Sequence, residues 1–539
     1  MTPSPSQPEL VEAFEPASVD GAPLSARSTV ELAEAELTAS KLAASELAAT
    51  PLAATGPASD QALTLVDLRL SQPRAPRIDA PNDVAFTVAL ALMALLPRLF
   101  VALAWAREPV WDGHYYHFGA TRLAEGLGYS EDVVLNGIRV WKPWTHYPVG
   151  YSGILSLAYR AFGSSITVAP LVNAVIGTLL VVVVHRLARY AVSQSRARIA
   201  GALCALHPGL IAYSAIVMTE PSAALFVLAA GWAAVALRSR WQLAVISAGV
   251  LIGLGALIRP VSLLAVPALM LVGPRPLWQS MLRAGAVGLV ALITIAPWTA
   301  RNCRVMDGCA LISTNGGWNL AIGALTTTGR FHTLRADDGC PIVTGQVQQD
   351  RCWADVGRRI ILRDPLAFLA LVPKKLSQTY NHESYPIEYL KEGAPELWPE
   401  ERRRAGRDLL TTWHWVLMGA AALSPIALIN SQRRKLGSAT QGALLLLLVA
   451  YVSFCFASPE HPFFALAVMM PLLGLLPFPG RPSFGPAGRY LLGLVFATTL
   501  THAVFFGEDR YHLVISPVLC ILAAAALRKR HAPAAWAPE

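Results

Sequence analysis

WDGHYYHFGATRLAEGLGYSEDVVLNGIRVWKPWTHYPVGY, residues 111–151, places Asp, His, Tyr, Trp, Arg and Lys between two strongly apolar runs. Polar residues are costly beside a bilayer, so a stretch this polar at the end of a first span points to a site. Composition supports that setting. The chain has 539 residues, 54% hydrophobic and only 15% charged, with a mean hydropathy of +0.45; soluble domains carry about 25% charged residues. The formal charge is +9, yet Lys and Arg cluster in short breaks between apolar runs, as the positive-inside rule expects. That placement argues for a membrane partner and against nucleic acid.

Outward from this stretch, about 12 apolar runs have roughly the length of a bilayer crossing. They lie near 86–106, 165–187, 199–216, 220–237, 242–258, 260–274, 282–300, 411–430, 441–457, 462–478, 490–506 and 511–527. The fold class expected is an all-α integral membrane protein, with 151–163 too short to span and more suited to an interfacial helix. Residues 1–82, rich in Ala, Ser, Pro and Glu, read as a disordered cytoplasmic tail without a signal peptide. The remaining expected units are an N-terminal transmembrane module, 83–300, containing a first outer loop, 107–164; a long loop, 301–410; a C-terminal transmembrane module, 411–530; and a short tail, 531–539.

Charge sets the orientation. The breaks 186–198, 238–240, 275–283, 433–435, 481–489 and 528–531 are basic and free of acids, and they alternate with breaks holding Glu220, Glu460 and the pair Glu508 and Asp509. Both termini are then expected on the cytoplasmic side, with the opening stretch and loop 301–410 on the outer face. Between Asp132 and Asp307 the only carboxylate is Glu220. An isolated acid at a span end needs a reason, which makes Glu220 a candidate. Cys303, Cys309, Cys340 and Cys352 share the long outer loop, where an oxidising face permits two disulfides; 303–309 with 340–352 is the most local of three pairings.

Trp111-Asp112-Gly113 follows the first span. At the start of a helix Asp112 would stay ionised and ready to accept a hydrogen bond; a plain helix cap is the bland alternative. His114 and His117 could join Asp112 at a metal, but the spacing is permissive and no fourth ligand is evident. A divalent metal is compatible with these residues and not indicated by them. Arg139, Lys142 and His146 precede Tyr147-Pro148-Val149-Gly150-Tyr151; cations at headgroup level suit a lipid-linked phosphate, or are simply solvated loop charge.

Asp112 with His-Tyr-Tyr, Leu-Ala-Glu-Gly-Leu-Gly-Tyr (123–129) and Tyr-Pro-Val-Gly-Tyr (147–151) form an ordered set. Met218-Thr219-Glu220-Pro221, Leu257-Ile258-Arg259-Pro260, Ala296-Pro297-Trp298, Ser313-Thr314-Asn315-Gly316-Gly317-Trp318 and Glu508-Asp509-Arg510-Tyr511 continue it. Together they resemble the bacterial GT-C membrane glycosyltransferases, glycosyltransferase family 39-like, related to protein O-mannosyltransferases and the lipid A aminoarabinose transferase. The resemblance covers roughly 85 to 530 and implies a GT-C-like bundle, a polyprenyl-phosphate sugar donor, and inverting transfer to a lipid, glycan or protein acceptor on the outer face.

On that footing Asp112 is the expected base and Glu220 the second acid. Lys142, Arg259, Arg510 and Arg139 are expected at the donor phosphate, with Arg301, Lys374 and Lys375 in reserve. Expected substrate contacts are His114, Tyr115, Tyr147, Tyr151 and Tyr511. The rival reading is a polytopic lipid or sugar transporter; transporters tend to place ionisable residues and repeats near mid-membrane, whereas these acids sit at span ends on one face.

Overall fold

An apolar helix of 24 residues, Pro81–Ala104 (α1), is the first described element of the chain. The computed structural model describes residues 81–135, 137–273, 276–341, 345–427, 438–475 and 484–527. Of the expected tails, 1–80 and 531–539 lie outside the described residues, as do the basic breaks 433–435 and 528–530.

The longer helices that follow are Asp112–Ala124 (α2), Val149–Phe162 (α3), Val168–Ala191 (α4), Gln194–Ala205 (α5), Glu220–Ala236 (α6), Trp241–Ile258 (α7) and Leu277–Val305 (α8). In the long loop come Gly316–Leu325 (α9), Gln346–Arg363 (α10), Val372–Tyr380 (α11) and Tyr385–Gly393 (α12). Glu400–Ala422 (α13), Ser438–Ala457 (α14), Phe464–Leu475 (α15), Pro486–Val504 (α16) and Ser516–Ala526 (α17) complete the series. Four helices, α1 from Asp83 on, α4, α7 and α8, are long and apolar enough to cross a membrane. On α1 the residues Val84, Val88, Leu92, Leu96 and Phe100, four apart, are all exposed; such a stripe on one face is what lipid solvates. Four such helices are what a multi-pass membrane protein needs.

Several expected spans are not continuous helices, among them 411–430, which breaks at Leu423, and 511–527, which begins in the 3₁₀ helix Asp509–Val514. The run 199–216 ends its helix at Ala205 and restarts at Pro208, and the run 260–274 is a 3₁₀ turn, Pro260–Leu264, followed by the short helix Ala265–Leu269. Proline clashes with a helical residue before it, and His207 (ψ 115°) and Arg259 (ψ 113°) are extended. The all-α expectation needs a second correction. An antiparallel hairpin, Ser130–Leu135 (β1) with Ile138–Pro143 (β2), lies in the segment between α2 and the next long helix and turns at Gly137, whose φ is 80°. Arg122 of α2 anchors it, donating to Ser130 Oγ at 2.8 Å and lying over the Trp141 ring.

Packing centres on α4, which lies against α1, α5 and α6. Along α7, Gly249 and Gly253 let α8 come close; a Cβ on Gly253 would sit 2.6 Å from Cβ of Thr294. Small residues four apart serve this purpose between membrane helices. The long loop has its own core of Ala321, Cys340, Trp353 and Val356. Asp350 of α10 caps α9 across the loop, accepting from the Gly317 and Trp318 amides at 2.7 and 3.3 Å.

Disulfides join Cys303 to Cys309 and Cys340 to Cys352, while Cys204, Cys455 and Cys520 are free and buried. Non-reducing peptide mapping of protein taken from an oxidising compartment should recover these two cross-links and no others. Alkylation of all four loop cysteines without reductant would place the loop on a reducing face.

Candidate functional site

Asp112 is the first residue of α2. Trp111 before it holds φ 49° and ψ −132°, a region that a bulky residue adopts only under strain, and its ring rests against Tyr385 and Tyr389. Gly113 after it is a close approach: a Cβ there would lie 2.8 Å from the Val217 carbonyl oxygen and overlap the Tyr389 hydroxyl. The Asp112 side chain is thereby fixed at the junction of α2, the segment before α6, and α12.

Its carboxylate is shared. Oδ1 accepts from the Tyr147 hydroxyl at 2.7 Å and Oδ2 from Arg510 Nη1 at 2.5 Å. Arg510 also pairs through Nε with Glu508 at 2.6 Å and donates to the hydroxyls of Tyr385 and Tyr511, each at 3.2 Å. Burial pulls the Asp112 carboxyl up, but the Arg510 guanidinium and the bonds from Tyr147 and Arg510 outweigh it and hold the group below its ordinary value. At neutral pH Asp112 is a carboxylate.

The second acid has a partner of its own. Glu220 opens α6 and is fully buried; Oε1 accepts from Arg259 Nη1 at 2.6 Å, and Arg259 also donates to Thr219 Oγ1 at 3.1 Å. Arg259 follows the last residue of α7, lies over the Tyr511 ring, and is close enough to Asp112 to lower its pKa. The two ion pairs form one cluster with Tyr511 between their arginines.

Tyr147-Pro148-Val149-Gly150-Tyr151 has a part for nearly every residue. Tyr147 reaches Asp112, Pro148 starts α3, and Gly150 lets α3 meet the Leu257 backbone just before Arg259, where a Cβ would be 2.6 Å from the carbonyl carbon. Tyr151 was expected at the substrate but is fully buried, donating to Asn173 Oδ1 at 2.7 Å. Its hydroxyl is used in packing because the helix period turns it inward, away from Tyr147.

The other expected residues divide. Tyr115 is exposed and stacks on Tyr147 with centroids 5.2 Å apart; His114 is exposed and stacks on Phe118. Lys142 lies on β2 opposite Glu131, so hairpin register directs it to that acid rather than into the Asp112 cluster. Arg139 pairs with Val134 in the same hairpin, and its side chain lies outside the described residues. Arg301 donates to the Trp144 and Tyr129 carbonyls, and Lys375 to the last carbonyls of α16, including Val504 at 3.1 Å. Both tie the structure together. The sequence reading missed Tyr385 and Glu508 as site residues; the acidic break flagged Glu508, whereas nothing local in the long loop singled out Tyr385.

Beside the cluster runs a mainly apolar cleft lined by Ala223, Val227, Leu494 and Ala497, with Arg259, His502 and Tyr511 among its polar residues. An apolar groove ending at arginine and tyrosine suits an amphiphile with an anionic head.

A helical membrane protein with a carboxylate–arginine cluster beside an apolar cleft is the class this fold and site define. Residues 146–300 match the family described as dolichyl-phosphate-mannose-protein mannosyltransferase. The matched stretch contains the motifs Tyr147–Tyr151, Met218–Pro221, Leu257–Pro260 and Ala296–Trp298. No curated protein sequence matches it. Among solved structures it is similar to the archaeal oligosaccharyltransferase AglB from Archaeoglobus fulgidus in complex with an inhibitory peptide and a dolichol-phosphate. The identity is 16% and the TM-score 0.42, over 84% of this chain and 50% of that one. It is also similar to ArnT from Cupriavidus metallidurans bound to undecaprenyl phosphate, with 15% identity and TM-score 0.32, over 83% and 78% of the two chains. The chain thus spans half the length of the archaeal protein.

Breaking the buried pair tests its energetics. Arg259→Leu should strand the Glu220 carboxylate and cost about 3–5 kcal/mol, read as a lower thermal midpoint. The double variant R259L/E220L should recover most of that loss; a double variant no more stable than the single one would deny the coupling.

Proposed function

We propose that the protein transfers a sugar from a polyprenyl-phosphate donor to an acceptor hydroxyl on the outer face of the membrane, with inversion at the anomeric carbon. The observation that carries this reading is the Asp112 carboxylate held between Tyr147 and Arg510, with the Arg259–Glu220 pair and an apolar cleft beside it. The family match over 146–300 supports the same class of chemistry. A multi-pass bacterial inner-membrane protein with its site on the periplasmic face is the setting that the charge pattern and the loop disulfides favour.

A carboxylate offers about four lone-pair positions, and two on Asp112 are used. Another can receive the acceptor hydroxyl. The acceptor oxygen attacks C1, its proton passes to Asp112 as the new bond forms, and the C1–oxygen bond to the lipid phosphate breaks. The depressed pKa of Asp112 makes it a weak base in the resting enzyme, so its main work is to orient the hydroxyl and take the proton late. Charge growing on the departing phosphate is met by Arg259 and Arg510. The donor's polyprenyl chain takes the cleft, whose apolar lining suits it.

Asp112→Asn keeps the shape and removes the charge. With a polyprenyl-phosphate-linked sugar as donor, purified Asp112→Asn protein should fold and insert but transfer essentially nothing; a wild-type rate would sink the assignment. Arg510→Met removes the main cation opposing burial at Asp112, so the carboxyl pKa rises. The carboxylate form is lost as pH falls through that value. The acid limb of the pH–rate profile should therefore move to higher pH, and an unmoved limb would show that Asp112 is not the group titrating.

A further inference from the structure

Beneath the Asp112 cluster lies a second group of ionisable side chains that the transfer reaction does not use. Glu383, His414 and His512 come from three separate segments: the loop after α11, the middle of α13, and the 3₁₀ helix Asp509–Val514. All three are buried, at 2%, 0% and 0% exposure. One potential ligand atom from each lies within 4.8 Å of the other two. Glu383 Oε2 is 3.4 Å from His512 Nε2, close to the roughly 3.3 Å edge of a tetrahedron with 2.0–2.1 Å bonds.

The outer atoms of the imidazoles are already committed. His414 Nε2 meets the Tyr380 carbonyl at 2.8 Å and His512 Nδ1 the Thr379 carbonyl at 2.6 Å. Such backbone bonds fix the tautomer in which the other nitrogen carries a lone pair. The inner atoms include two orphans, since His414 Nδ1 and Glu383 Oε1 are buried without a hydrogen-bond partner. Buried polar atoms without partners are expensive and rare. His207, buried with Nε2 also unpartnered, flanks the group: a Cβ on Gly209 would lie 3.2 Å from His207 Cε1 and overlap Glu383 Oε1.

We infer that Glu383, His414 and His512 hold a divalent first-row cation, zinc fitting their two imidazoles and one carboxylate best, as a structural site separate from Asp112. The ion satisfies the orphaned His414 Nδ1 and clamps the middle of α13 to the two segments that build the catalytic cluster. One is the 3₁₀ helix carrying Arg510. The other is the turn at Ser384 and Tyr385, whose amides already donate to Asp509 Oδ2. Imidazole with carboxylate favours zinc and its neighbours in the transition series over magnesium or calcium, which prefer all-oxygen shells.

Full-length protein purified in detergent, with neither metal nor chelator added, should carry about one equivalent of zinc or another first-row divalent ion by plasma mass spectrometry. His414→Ala and Glu383→Gln should each lose it, while Asp112→Asn keeps it. Dialysis of the wild type against a chelator should lower the thermal midpoint by several degrees, with zinc chloride alone restoring it. Cobalt chloride in place of zinc should give the visible absorption of a tetrahedral site, which decides the matter even if the variants do not fold. The inference is overturned if the wild type carries no metal and neither salt binds or raises its midpoint. It is equally overturned if the metal leaves with Asp112→Asn and stays in Glu383→Gln. In either case Glu383 and His512 share a proton instead.

Discussion

The bond between Asp112 and Arg510 joins residues 398 positions apart, and the segments around it are arranged to keep it. An isolated charge away from water costs several kcal/mol even after relaxation, so each group stabilises the other here. The chain meets that constraint by alternating signs in space: Glu508, Arg510 and Asp112 form one row, and Glu220 with Arg259 forms the next. Tyr147, Tyr385 and Tyr511 fill the spaces between with hydroxyls that bond to the charges and rings that exclude water.

Fixing both ends of so long a contact requires rigid supports. Asp112 sits on a helix start confined by Gly113 and the strained Trp111. Arg510 sits on a short 3₁₀ helix that cannot hold itself in place. Its neighbours do so: Asp509 accepts from the Ser384 hydroxyl and the Tyr385 amide, and His512 is buried against the Thr379 carbonyl. The long loop therefore acts as part of the site's frame, because its turn at residues 381–385 carries both the donors that hold Asp509 of the 3₁₀ helix and the Tyr385 ring over Arg510.

Much of this was legible in the chain because carboxylates are scarce beside apolar runs. Scarcity alone singled out Glu220 and the break at Glu508 and Asp509, and position after the first span singled out Asp112. Residues whose fate depends on side-chain direction were harder to read. Tyr147 and Tyr151 are four apart in one motif, but a helix begins between them, so one faces the carboxylate and the other Asn173. Lys142 was misplaced because the hairpin went unread, although Asn136-Gly137 between β-branched runs is its usual signal. Hydropathy likewise reports burial and not continuity, and the prolines at 208 and 260 divide runs that look like single spans. Tyr385 could not be found from local pattern, since only the fold of the long loop brings it to Arg510.

Arg259 shows why guanidinium is used where an ammonium would carry the same charge. Its Nη1 alone serves both Glu220 and Thr219, yet the residue also lines the cleft and lies over Tyr511. A guanidinium has five donors in a planar fork, so one edge can be held by protein while others remain for an anion. Lysine, a point charge on a flexible stem, would have to leave Glu220 to meet a phosphate and would strand a fully buried carboxylate. Under the proposed transfer, an arginine anchored on one edge keeps Glu220 compensated while negative charge arrives, grows and departs at the other.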